Sequence, residues 1–492
     1  MRSSLVALGV LFALPALGAA LACCSQLPTC VDANNCTAYQ DAGDGSSDAL
    51  PDVVVPPGCD LAKSPKESPA CVSDDVGVFV SPQGKDGATG KKTDPLRSIA
   101  EAVGKGKPRV YVCGGTYDAN VAITTPVAIY GGLTCLWDLS DASRPKLAPP
   151  KGIALRVTKV TGAVDVEDLD IVGAADANTP GDSAIAAFAS ESETVTFRRV
   201  NLSAGGGTGG ANGVSRSNYA GAMATKGGDA LVGAAGGQGP VCTCTDGTSS
   251  TGGNGGSGGG GGLTNGSASP PVGVANSGAS KATSCDPGLV GANGTPGGIG
   301  QPMLSAGALS SAGWTSDLAS NSAPAGRPAQ GGGGGGTKLD SSTPGGGGGC
   351  GGCGGAGGAS GRPGGSSFAL LVFNSNVTIA GGALTTAGGG GGGGTGGGGQ
   401  DGQGGGGAGT ANSCNGGPGG SGAGGSGGAG GPGGHSVPIA FVGPEPKATD
   451  AALTPGVKGG AGAGGAPGGG AGSAGAAGTP GPEGKSQNTL AL

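Results

Sequence analysis

Four carboxylates, Asp165, Glu167, Asp168 and Asp170, crowd one short stretch that reads as a β-strand. Acidic side chains so placed could hold calcium or serve as the acid and base of glycoside hydrolysis, which needs two carboxyls at a defined separation. The same residues also read as structural. At a shift of 31 residues stand Thr196, Arg198, Arg199 and Asn201. If the two stretches are adjacent strands about 4.8 Å apart, Glu167 faces Arg198 and Asp168 faces Arg199. Such opposite-charge pairing stabilises neighbouring strands, and exposed pairs of this kind contribute roughly 0–1 kcal/mol each. The ladder is the expectation, with a catalytic or calcium site as the alternative.

The other candidates are thinner. His435 is the only histidine. A two-histidine metal motif is therefore excluded, and nothing fixes the spacing of a Ser-His-Asp arrangement. It reads as a strand-edge residue beside Val437-Pro438-Ile439. Cys242-Thr-Cys244 and Cys350-Gly-Gly-Cys353 offer four thiolates, but their spacing matches no compact zinc module. Matches to G-x-G-x-x-G carry no information in glycine-rich sequence, since a dinucleotide site needs a strand before it and a helix after it. No catalytic residue, metal or cofactor is assigned.

The elements that would position these residues follow an export signal. Arg2, the apolar run Leu5 to Ala22 and its close in Ala20-Leu21-Ala22 make residues 1–22 a signal peptide. Cys23 follows where a lipoprotein carries its lipidated cysteine, and a lipid anchor in a membrane is expected there. Plain cleavage after Ala22 reads the same residues. Residues 23–58 are an acidic tether with Asp41, Asp44, Asp48 and Asp52 and little to pack. All 14 cysteines lie at or after Cys23, and an exported chain with that many is read as disulfide-bonded. The net charge of −6 excludes a charge-driven nucleic-acid binder.

From Asp75 the composition becomes foldable. Val76–Ser81 reads as a strand, and Leu96, Ile99, Ala100 and Val103 fall at helical spacing with Pro95 at the start. Short β-branched strands follow: Val110-Tyr111-Val112-Cys113-Gly114-Gly115-Thr116-Tyr117, Val121-Ala122-Ile123 and Val127-Ala128-Ile129-Tyr130-Gly131-Gly132. This order resembles the amino-terminal cap and first coils of right-handed parallel β-helix proteins of the pectin-lyase-like superfamily. It is most similar to DUF1565-type domains of bacterial surface lipoproteins, here with glycine-rich, PGRS-like insertions. The resemblance runs from Val76 to Leu202. It implies an all-β fold, a short right-handed parallel β-helix with one capping helix, and makes a polysaccharide lyase or glycoside hydrolase the alternative function. Cys113 and Cys135 lie 22 residues apart, about one coil, within disulfide reach on adjacent coils. Cys59 and Cys71 would close a small loop ahead of the domain.

An internal repeat points the same way. Ile153 to Val157 and Val164 to Ile171 recur at a shift of 31 in Ala184, Ala186, Phe188 and Val195 to Leu202. A further shift of 182 reaches Phe368, Leu370, Val377-Thr378-Ile379 and Leu384, and one of 69 reaches Val437, Ile439 and Leu453. A solenoid tolerates unequal intervals because each coil needs only its neighbours. Glycine fills the intervals: of 121 glycines, 19 lie in residues 1–203, leaving 102 for the remaining 289. The chain thus divides into cap and first coils (59–203), a glycine-rich insertion (204–365), a further coil (366–386), a second insertion (387–434), a weak last coil (435–455) and a glycine-rich tail (456–492). Gly424–Gly434 repeats GGX with a period of three, the polyproline II repeat. Glycine permits close packing of such helices, and a flexible coil is the alternative reading because ordering glycine costs the most entropy. The expected function is non-enzymatic: an exported cell-envelope surface protein with an adhesive, matrix-contact or shielding role. Its partners would be polysaccharide or other envelope components.

Overall fold

A computed structural model describes residues 54–219, 223–231, 233, 235–316, 321–388 and 390–492. The signal peptide, Cys23 and most of the tether lie outside these residues. The chain is nearly all β, with about 28% of residues in strands and 2% in helix.

The first strand, β1 (Gly77–Lys85), leads through helix α1 (Ile99–Val103) into β2 (Arg109–Cys113), β3 (Gly115–Tyr117) and β4 (Val121–Ile123). Two rounds of three strands follow: β5 (Val127–Leu133), β6 (Pro145–Leu147) and β7 (Leu155–Thr158), then β8 (Ala163–Glu167), β9 (Asp170–Gly173) and β10 (Ala184–Ser190). After β11 (Thr194–Arg198) and β12 (Asn201–Ala204) comes a glycine-rich stretch holding five short strands. These are β13 (Val241–Thr243), β14 (Ser249–Thr251), β15 (Ser267–Ser269), β16 (Ala308–Ser310) and β17 (Gly313–Thr315). The rounds then resume with β18 (Ser367–Phe373), β19 (Val377–Ala380) and β20 (Ala383–Thr386), and again with β21 (Ser436–Val442), β22 (Lys447–Thr449) and β23 (Ala452–Thr454), before β24 (Thr489–Ala491).

Each round gives one strand to each of three sheets. Their orders are β1-β2-β5-β8-β11-β19-β22, β4-β7-β10-β18-β21-β24 and β3-β6-β9-β12-β20-β23. Pairing within all three is parallel. Parallel neighbours need a crossover connection, and here the other two sheets supply it. Alternating apolar residues decide which face turns inward: Val164 and Val166, Val195 and Phe197, Val377 and Ile379 all enter one buried cluster.

The same turn recurs from round to round. Asp168, Arg199, Gly381 and Asp450 all take left-handed backbone, with φ of 57°, 54°, 71° and 54°. The Asp168 amide donates to the Arg198 carbonyl (3.1 Å), Arg199 to Ala380 (2.8 Å) and Gly381 to Thr449 (2.8 Å). Three of these four residues are not glycine. Each accepts a strain of about 1–2 kcal/mol, which at Asp168 and Arg199 the stacked amide bond helps to offset.

Three sequence expectations are corrected. The helix begins at Ile99, not Pro95. Ser98 caps it by accepting the Glu101 amide (3.3 Å), while Leu96 bridges to Val80 and Lys85. The shift of 31 holds for β8 and β11, where Val164 faces Val195, but β7 and β10 are offset by 32, Leu155 facing Ala187. Likewise Ile185, not Ala186, faces Phe368. Every residue of β10 is buried, so apolar alternation does not distinguish its faces, and a one-residue slip reverses them. Ile185 and Phe188 accordingly point outward, into a second cluster with Leu309 and Phe368 against which Trp314 packs. Finally, the glycine-rich tail ends in a strand, β24, paired with β21.

The glycine-rich stretches are extended runs that leave the sheets and return. In the first layer 208–219 and 223–230 run out and 345–365 run back; the second has 390–410 and 414–434, the third 456–470 and 472–485. Neighbouring runs bond backbone to backbone at every third residue. Amides of Gly394, Gly397 and Gln400 donate to carbonyls of Arg362, Ala359 and Ala356 at 2.8–2.9 Å. Gly393, Gly396 and Gly399 donate to the third layer at Gly460, Ala463 and Ala466 (2.8–3.0 Å). The three-residue period is that of polyproline II. Two positions of a triplet leave no room for a side chain where glycine holds them: a Cβ on Gly393 or Gly394 would lie 1.8 or 1.9 Å from a neighbouring carbonyl oxygen, and only further along the run does Gln400 take the Gly394 position. The third position is open, and at Gly392 the nearest atom is 3.6 Å away.

Candidate functional site

Register carries the acidic cluster to the arginines. Glu167 in β8 lies directly opposite Arg198 in β11, and Asp165 opposite Thr196. Arg198 Nη1 donates to Glu167 Oε1 (3.1 Å), and Arg199 Nη2 to Glu167 Oε2 (2.9 Å). Arg199 also grips Asp168 with two bonds, Nε to Oδ1 at 2.9 Å and Nη2 to Oδ2 at 3.0 Å. The network reaches further than a strand pair. Arg144 donates to Asp170 (3.0 Å) and lies 3.6 Å from Asp168, while Lys66, from the loop before β1, sits 3.2 Å from Asp168 and also pairs with Asp141. Asn201 supplies a second donor to Asp170 (2.8 Å).

These pairs are exposed on the arginine side and buried on the carboxylate side, unlike the fully exposed pairs that spacing alone implies. The side chains of Glu167 and Asp168 are 3% and 7% exposed. Burial raises the Glu167 pKa against the pull of Arg199 and Arg198. Burial pushes Asp168 upward too, but hydrogen bonds from Arg199 and Lys66 outweigh it and hold the carboxyl below its ordinary range. Both oxygens of Glu167 and both of Asp168 are already engaged by guanidinium or ammonium groups. A substrate or a calcium ion would have to displace an arginine, leaving charge buried without a partner. Among the described residues no cluster of three or more His, Cys, Asp or Glu is placed to hold a metal.

His435 stands immediately before β21, closing a column of caps. The Ser366 amide donates to Ser183 Oγ (2.9 Å), the His435 amide to Ser366 Oγ (3.0 Å), and the Lys485 amide to His435 Nδ1 (3.0 Å). Its ring rests near Trp314 and Phe368, 6.0 and 6.5 Å between centroids. Burial, with a smaller push from Lys485, brings its pKa down to about 4. It is a buried acceptor for one amide.

Ten cysteines lie in the described residues, and all are bridged: Cys59–Cys71, Cys113–Cys135, Cys242–Cys350, Cys244–Cys353 and Cys285–Cys414. Cys113 and Cys135 have Cα atoms 5.0 Å apart. The four thiolates weighed as a zinc set form two parallel staples. Spacing of two along an extended strand and of three along a polyproline II run each return a side chain to the same face.

One feature carried no sequence signal. A cleft of about 560 Å³ opens beside the first rounds, lined by Asp86, Arg97, Ser98, Thr116, Tyr117 and Asp118. Its residues come from the turn after β1, the residues leading into α1, the end of β3 and the β3–β4 turn, which only the fold brings together. Two carboxylates, a guanidinium and hydroxyls could bond a polyhydroxylated ligand, but Asp86 and Asp118 are exposed, and the one buried hydroxyl, that of Tyr117, is already engaged with the Cys113 and Val80 carbonyls. No family model matches the chain, and no curated protein or solved structure matches it either.

Proposed function

We propose that this chain is a non-enzymatic surface protein, exported and held at the cell envelope by a lipid on Cys23. Its sheets would wind as a right-handed parallel β-helix that carries the glycine-rich slab on one corner, exposed for adhesion, matrix contact or shielding. The winding reading is supported by the strict rotation of strands among three parallel sheets and by turns that repeat from round to round. The observation that carries the non-enzymatic reading is the saturation of Glu167 and Asp168 by Arg198, Arg199, Arg144 and Lys66. A general acid or base must be free to reach substrate, and these carboxylates are not.

Two measurements test the reading. Purified protein is assayed on uronate and neutral polysaccharides with and without calcium, followed by sedimentation with the same polymers. Binding without turnover supports the proposal, whereas turnover abolished by Asp168→Ala establishes the hydrolase or lyase alternative. The mass of the mature amino terminus tests the anchor, since lipidation adds acyl chains to Cys23 and plain cleavage adds nothing.

A further inference from the structure

We propose that the last layer of the glycine slab is a built-in stop that prevents a second copy of this chain from stacking onto it. Each returning run has two useful sets of amides. In the second layer Gly425, Gly428 and Gly431 donate within the layer, to Gln400, Gly397 and Gly394 (2.8–2.9 Å). The residues two further on donate to the next layer: Gly427 to Ala476, Gly430 to Thr479 and Gly433 to Pro482 (2.8–2.9 Å). The first layer does the same, with Gly355 bonding Ala423 and Gly358 bonding Ser426 (2.8 and 2.9 Å). At this outward position every residue is glycine, each third residue from Gly346 to Gly364 and from Gly424 to Gly433. The requirement is steric. A Cβ on Gly358 would lie 2.0 Å from the Gly397 oxygen, and one on Gly427 2.1 Å from the Gly465 oxygen, both in the outgoing run of the next layer.

The third layer keeps the inward set and abandons the outward one. Gly475, Gly478 and Gly481 donate to Gly468, Gly465 and Gly462 (2.9 Å). Two residues beyond each of these stand Ala477, Pro480 and Glu483, with Ala474 one step earlier, and all four are exposed. By the geometry of the earlier layers their side chains occupy the place where a further outgoing run would lie. Pro480 also has no amide hydrogen to give. In the outgoing run, Pro467 stands where the second layer has Gly399, whose amide bonds Ala466 (2.9 Å).

Glycine at these positions would leave a flat face of free amides, the slab's counterpart of an exposed sheet edge, which templates pairing with another chain. A second copy is the occupant such a face would take. Its own last layer, brought up by a two-fold axis, would meet this one with runs antiparallel, a polarity the slab already uses between outgoing and returning runs. Side chains, a charge and missing donors at these positions deny that contact.

Sedimentation velocity of the full mature chain tests this, comparing the native protein with the variant Ala474→Gly, Ala477→Gly, Pro480→Gly, Glu483→Gly. The exposed Glu483–Lys458 pair lost in that variant contributes little. The native chain is expected to remain monomeric and the variant to form dimers whose fraction rises with concentration. A variant that keeps its β-rich circular dichroism and disulfides but stays monomeric overturns the proposal, as does a native dimer abolished by Ala477→Lys. Should the fourfold variant fail to fold, Pro480→Gly decides the matter. Combined with Ala477→Cys, it should bridge copies several-fold faster under mild oxidation than Ala477→Cys alone, and equal rates reject the stop.

Discussion

Ile379 and Gly394 lie a short way apart in the chain, one in β19 and one in the run that follows, and they serve the fold for opposite reasons. Ile379 is fully buried, and what it contributes is its side chain, worth about 1.5–3 kcal/mol when removed from water. Gly394 contributes by having none: a Cβ there would lie 1.9 Å from the Ala211 carbonyl. The sheets are held by apolar burial with hydrogen bonds alongside. The slab has backbone hydrogen bonds, about 0.5–1.5 kcal/mol net each, set against the large conformational entropy of glycine. This difference accounts for the placement of disulfides. Three of the five among the described residues, closing loops of 108, 109 and 129 residues, lie in glycine-rich sequence. Restricting the unfolded chain stabilises the part that side chains cannot.

The comparison can be broken at either end. The largest effect is expected from removing Cys285–Cys414 by paired serine substitution, about 4–5 kcal/mol for so long a loop. Hydrogen exchange should show it in the slab amides and hardly at all in β5 or β8; uniform loss would mean that the two regions are one cooperative unit. Next, Gly358→Val adds a small apolar side chain where no space exists and should cost about 3 kcal/mol. Ile379→Val, which removes one methylene from the sheet core, should cost about 1 kcal/mol. Chemical denaturation of both variants reads the contrast, and equal costs would contradict it.

A smaller effect depends on pH. His435 titrates near 4 in the folded chain against about 6.5 unfolded. Between those values the unfolded state takes up a proton that the folded state refuses, so its contribution is intact above pH 6.5 and lost as pH falls toward 4. Thermal melts of the native chain and His435→Asn should diverge in that window and run parallel above it. The smallest effect sharpens the steric rule. Gly392→Ala, at the open third position, should change stability by no more than about 0.5 kcal/mol, in either direction. A clear loss there would mean that the whole slab, not two positions in three, demands glycine.

Much of the sheet region was legible because side chains alternate. Val164, Val195 and Val377 stand in register and can be matched by eye, as can Glu167 with Arg198. The match slipped in β10, where Ala-Ile-Ala-Ala-Phe-Ala-Ser is buried on both faces and alternation carries no information. The left-handed turns at Asp168 and Arg199 left no trace, since arginine does not favour that backbone and the preference of aspartate for it is too weak to single out one residue. Nor did the burial of the charge network, which depends on Arg144 and Lys66 arriving from distant sequence.

By itself the sequence determined the period of three in the glycine runs and the alternation of the strands, but in the unbroken glycines of 390–394 it does not mark which positions forbid a Cβ. Which run lies beside which was beyond it. One GGX triplet bonds another as well as any third, so glycine sequence contains no address. The tertiary structure supplies the address through the strands. Each outgoing and returning pair is tied at its two ends to successive rounds, the first between β12 and β18 and the second between β20 and β21, and the stacking of those strands sets the order of the layers. Side chains in the sheets thus choose the neighbours for a region that has almost none.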